Sequence, residues 1–168
     1  MYDTTLYKKT PKQQARIILS RFESGDTEMG IRFSIGGLYL RDFITCVSCE
    51  ALAYIKEFKP EWLKNGVLKR RGGYSGLIIE HTIPVNVTYS HFKKLYAGGK
   101  LTEDYIERLI KSGRLMCALV TKKENDTKFN KALKDKCPPE WDFEKGDPLA
   151  RYNAAAIETV QLAVATRG

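Results

Sequence analysis

Glu80 and His81, followed by Thr82-Ile83-Pro84, and a downstream Asn125 with Lys128 beyond it are residue types that could do chemistry together. A carboxylate and a carboxamide are hard oxygen donors of the kind that magnesium or manganese takes. A neutral imidazole can take a proton from an attacking water near pH 7, and a lysine ammonium can steady a phosphate. Phosphodiester hydrolysis asks for this combination, because a divalent cation must neutralise charge on the phosphate and on the leaving oxygen. Lys69, Arg70 and Arg71, upstream of the Glu80 segment, are read as phosphate contacts, and Arg151 is read the same way.

Periodicity and punctuation give the elements that have to position these groups. Leu77-Ile78-Ile79 is too short for a helix and reads as a strand ending in Glu80-His81, with Pro84 stopping the ladder. Leu115 to Val120 is a second strand, followed by a charged helix from about Lys122 to Lys136 that carries Asn125 in its first turn; Cys137-Pro138-Pro139 breaks it. Antiparallel pairing of the two strands is expected to bring Glu80 and His81 to the start of that helix. Two helices, over about 88–97 and 103–112, fall between the strands and are parted by Gly98-Gly99.

Upstream, Thr10-Pro11 opens a helix that should stop near Gly25. Residues 31–37 read as a short strand or as the lead into a long helix over 38–58, in which Ile44, Val47, Ala51 and Ile55 recur at steps of three and four. That helix would hold Cys46 and Cys49 as small buried hydrophobes. Their spacing is half a zinc knuckle, but Cys117 and Cys137 offer no matching second half, so structural zinc is not expected. Asp147-Pro148 starts a last helix, about 147–165, with Ile157, Val160, Gln161 and Val164 on its stripe.

With 168 residues, 43% hydrophobic and 29% charged, the chain can bury a core without covalent staples, which argues against wholesale disorder and a fibrous repeat. One domain over 1–168 is expected, with a central core at about 74–136, an N-terminal helical part at 10–60 and the C-terminal helix. No apolar run approaches the roughly 18 residues of a membrane span, and the first residues lack the apolar stretch of a signal peptide, so the expectation is a cytoplasmic protein without a membrane partner. Twenty-eight Lys and Arg against 20 Asp and Glu leave a net charge of +8, which makes a polyanion, and nucleic acid above all, the leading partner.

Leu77-Ile-Ile-Glu80-His81-Thr-Ile-Pro84, taken with Ala118-Leu-Val-Thr-Lys-Lys-Glu-Asn125-Asp-Thr-Lys128, resembles the HNH, or ββα-metal, nuclease finger over about a third of the chain. The resemblance implies an α+β fold, a mostly helical domain around a small antiparallel β-hairpin plus helix, with a helical insertion between the two strands. It implies His81 as general base, Glu80 and Asn125 as ligands of a divalent cation, and Lys128 as a phosphate contact, in an endonuclease that acts on DNA and leaves 5′-phosphate ends; the acidic neighbours Glu124 and Asp126 stay open as the ligand in place of Asn125. The family's middle asparagine has no counterpart, Met116 standing near its place. Two other readings stay open: a nucleic-acid- or protein-binding module, an adaptor or inhibitor, that keeps the fold without the chemistry, and a nuclease directed at RNA. A lone finger cuts one strand, so double-strand cleavage would need a homodimer or two encounters.

Overall fold

The computed structural model describes residues 9–37, 44–64, 67–68, 76–129 and 133–162. The described residues form a mixed α/β structure in which helices surround a four-stranded sheet.

Helix α1 (Pro11–Glu23) starts on a complete capping box: the Thr10 hydroxyl accepts from Gln13 N at 3.2 Å, and Thr10 N donates to the Gln13 side chain at 2.9 Å. Its buried residues Ala15, Ile18 and Phe22 lie at steps of three and four, the inward stripe its sequence encodes. Residues 31–37 are helix and not strand, within α2 (Glu28–Gly37). Ile31 and Ile35 sit one turn apart there and pack into the same cluster as Ile18, Phe22 and Phe92, so the two-residue alternation seen locally gives way to helical burial. Each fully buried side chain of this cluster, such as Ile18, Ile35, Phe92 or Ile106, contributes about 1.5–3 kcal/mol.

The long helix expected over 38–58 is replaced in its described part by strand β1 (Ile44–Ser48) followed by helix α3 (Cys49–Phe58). Ser48 has extended backbone and accepts from Ala51 N at 3.0 Å, so it is the N-cap and α3 cannot begin before it. The three-and-four spacing of Ile44, Val47, Ala51 and Ile55 misleads because strand and helix bury residues against the same core. Cys46 is accordingly buried in a strand, whereas Cys49 is exposed on the first turn of a helix. A 3-10 turn (Pro60–Trp62) and a separate pair of two-residue strands, β2 (Leu63–Lys64) and β3 (Val67–Leu68), follow.

Strand β4 (Leu77–His81) is followed by α4 (Val85–Ala97), α5 (Glu103–Lys111) and β5 (Cys117–Thr121), so the helical pair is inserted between two strands that do pair antiparallel. Beyond β5 the chain departs from the sequence reading twice. Helix α6 (Lys122–Thr127) ends nine residues, about two and a half turns, before the charged run suggested, and α7 (Ala150–Ala154) is a brief helix followed by strand β6 (Thr159–Gln161). Ala156 takes the left-handed conformation, φ 51°, which ends the helical path and turns Ile157 into the core. The sheet order is β4-β5-β1-β6, with β5 and β1 parallel and both outer pairs antiparallel. Among the described residues, no helix is long and apolar enough to cross a membrane.

Candidate functional site

The β4–β5 register pairs Leu77 with Thr121, Glu80 with Ala118 and His81 with Cys117. Helix α6 starts directly after Thr121, beside the beginning of β4. His81 is thus four residues, about 13 Å of strand, from the point where α6 begins. The expectation that antiparallel pairing brings the end of the first strand to the start of the helix is corrected by this register. The chain then returns: Phe129, just past α6, lies under the Arg151 guanidinium at 4.3 Å, and Arg151 reaches Glu80.

Adjacent residues of a strand point to opposite faces of the sheet, and the partners of Glu80 and His81 follow that rule. Glu80 shares its face with Ile78, which packs against Phe129, Tyr152 and Ile157. Its Oε2 accepts from Arg151 Nη2 at 2.8 Å. The Arg151 side chain is 1% exposed and that of Glu80 26% exposed. Arg151 Nη1 also donates to the Lys134 carbonyl at 2.8 Å. The reading of Arg151 as a surface phosphate contact is therefore replaced by an internal role: burial keeps its guanidinium away from a polyanion outside.

His81 looks the other way, toward α2, with Nε2 3.4 Å from the Gly36 carbonyl oxygen. Burial drives its pKa down to about 4, the Arg151 charge adds to the fall and the Gly36 carbonyl opposes it. The imidazole is neutral at pH 7. The thiols flanking this region are not nucleophiles near neutrality: burial pushes Cys46 up to about 12 and carries Cys117 well above its ordinary value.

Asn125 donates to Asp126 Oδ1 at 3.2 Å in an exposed setting. Lys128 is turned toward α3, with Nζ 2.8 Å from Glu50 Oε1 and 3.8 Å from Glu124 Oε1; the Glu50 hydrogen bond raises its pKa. Lys69, Arg70 and Arg71 lie outside the described residues. The structure therefore brings Glu80 and Arg151 together but sends His81, Asn125 and Lys128 to three other partners.

A divalent cation does not fit the proposed ligand pair in this arrangement. Glu80 Oε2 accepts from a buried guanidinium near the end of β4, whereas Asn125 belongs to α6, which starts beside the beginning of β4, and its Nδ2 donates to Asp126. Among the described residues, no group of three or more His, Cys, Asp or Glu gathers in a way that could hold a metal ion.

Two features escaped sequence reading, the first being that Glu124, open as a metal ligand in the sequence, is a buried cap acceptor. Glu124, 1% exposed, accepts through Oε2 from Ser48 Oγ at 2.6 Å, Thr121 N at 2.9 Å and Thr121 Oγ1 at 3.0 Å. The Thr121-x-x-Glu124 capping box was there to be read; its second partner, on β1, was not. The other feature is a run of exposed lysines, Lys122, Lys123, Lys134 and Lys136, that enter no ion pair among the described residues. The backbone beside Lys134 and Lys136 is pinned by Arg151 at the Lys134 carbonyl and by Asn86 Nδ2 at the Asp135 carbonyl, 2.8 Å in each case, whereas Lys122 and Lys123 open α6.

No protein-family model, no curated protein and no solved structure matches this chain.

Proposed function

We propose that this protein binds nucleic acid, DNA in the first instance, with the strand–strand–helix unit serving as scaffold for a basic segment and not as a metal centre. The observation that carries this is the set of exposed lysines Lys122 and Lys123 at the start of α6 and Lys134 and Lys136 beside the backbone anchored by Arg151 and Asn86, without an ion pair among the described residues, in a chain of net charge +8. Lysines held this way can neutralise phosphates and release counterions, which gives affinity without sequence preference. Four phosphate contacts correspond to a log–log salt slope of about −3 to −4 on duplex DNA. Fluorescence anisotropy with a labelled duplex should show that slope. The Lys122→Ala/Lys123→Ala/Lys134→Ala/Lys136→Ala protein, folded by circular dichroism, should lose most of it. Absence of binding at low salt, or a slope unchanged in the quadruple variant, would sink the reading.

A second reading, an HNH-type DNA endonuclease, is favoured by one specific observation: an acid–histidine pair closes a strand paired antiparallel with the strand that feeds a helix, and the histidine is held neutral. In that reading His81 takes the proton of the attacking water. Supercoiled plasmid incubated with magnesium, manganese or chelator, with wild type and His81→Ala side by side, separates the two. Metal-dependent nicking lost in the variant selects the endonuclease, and intact plasmid under conditions of measured binding selects the binding module. Matched RNA strands in the same assay test the RNA alternative.

A further inference from the structure

We infer that Arg151 is the resident cation of Glu80, which makes this carboxylate a structural anion and not a metal ligand, and that the pair fastens the C-terminal segment to the β4–β5 strands.

Four observations converge on it. The contact is 2.8 Å between Nη2 and Oε2, at charge-assisted hydrogen-bond length, between residues 71 positions apart in the chain. The guanidinium is 1% exposed, so Glu80 is its counter-ion in a place that solvent anions do not reach. It is held in place independently of Glu80, by the Lys134 carbonyl through Nη1 and by the Phe129 ring beneath it at 4.3 Å. Its neighbour Tyr152 is fully buried against Phe129, with ring centroids 5.1 Å apart, so α7 cannot slide to withdraw the arginine without opening that cluster. Removing one partner from a buried pair leaves an uncompensated charge, whereas removing both together is far less costly. Glu80, with its Oε2 taken by a buried guanidinium, is thereby a structural anion and a poor ligand for a dication, which that guanidinium repels.

The test uses manganese alone as probe, on the full-length protein, with isothermal titration calorimetry and paramagnetic broadening of the backbone amides of residues 78–82. Wild type and Glu80→Gln should give the same isotherm and no broadening at β4. In urea denaturation the Arg151→Met/Glu80→Gln double variant should be more stable than Arg151→Met. If Arg151→Met does not fold while the double variant does, the coupling is shown directly. A wild-type manganese site that Glu80→Gln removes would overturn the inference and favour the endonuclease reading instead. So would additive stability losses in the double variant. Loss of DNA binding has no bearing on these readouts, so the two proposals fail separately.

Discussion

Ser48 Oγ donates to Glu124 Oε2 across 2.6 Å, joining the N-cap of α3 to the third residue of α6. The two helices leave neighbouring parallel strands, β1 and β5, at the same end of the sheet, and a single buried carboxylate serves both caps.

Glu124→Ala should therefore be among the most destabilising single changes outside the apolar core. It leaves the Ser48 hydroxyl and the Thr121 N–H without their acceptor in a buried place, at a cost of about 3 kcal/mol. Glu124→Gln keeps an acceptor oxygen and should cost about 1 kcal/mol. Urea denaturation at pH 7 measures both, and a loss below about 1 kcal/mol for the alanine variant would contradict this account.

A pH dependence follows from the cluster that docks the loop around Phe143. His91 stacks on Phe143 with centroids 3.9 Å apart, its Nε2 is 2.7 Å from Tyr105 Oη, and Tyr105 Oη donates to Glu144. Burial lowers the His91 pKa below 6.5, with Lys94 adding to the fall and Glu144 and Asp142 opposing it. The unfolded chain then takes its proton first, so docking weakens as pH falls below 6.5. Burial, reinforced by Glu144, raises Tyr105 above 10, against Arg108 and Arg114, so docking also weakens as pH rises beyond 10. Trp141 fluorescence in a Trp62→Phe background reports on the loop. His91→Asn should flatten the acid limb alone and Tyr105→Phe the alkaline limb alone.

Tyr152 is fully buried and its hydroxyl has no hydrogen-bond partner among the described residues. Tyr152→Phe removes a desolvated polar atom and keeps the ring edge-on to Phe129. It should raise stability by about 1 kcal/mol, seen as a higher urea midpoint with an unchanged slope. A loss of stability would mean that the hydroxyl is satisfied.

Ala156 adopts φ 51° on an exposed turn between α7 and β6. Glycine there gives up no packing and removes the left-handed penalty, so Ala156→Gly should stabilise by about 0.5–1 kcal/mol; Ala156→Val should destabilise by more than that. Thermal unfolding of the two variants gives the comparison, and equal melting temperatures would refute it.

Elements set by nearest neighbours are legible in the chain itself. Thr10 with Gln13 writes the start of α1, the Tyr105-Ile106-Leu109-Ile110 stripe writes α5, and the short apolar runs ending at His81 and Thr121 write β4 and β5. Caps, periods and proline stops act within one or two turns of chain, so the sequence alone determined them.

Tertiary structure decided the rest, because the deciding partners are distant in sequence. Ile44–Ser48 is a strand on account of β5 and β6, which flank it, and Thr159–Gln161 is one on account of β1. The register of β4 against β5 set how far His81 stands from α6, and strand alternation sent His81 and Glu80 to opposite faces. Arg151 reads as a surface cation in its own segment, yet α7 folds it under the sheet against Glu80. A pattern of residue types names the groups available for chemistry; only the pairing of strands fixes which of them can meet, since a side chain's face and depth depend on neighbours its own segment does not contain.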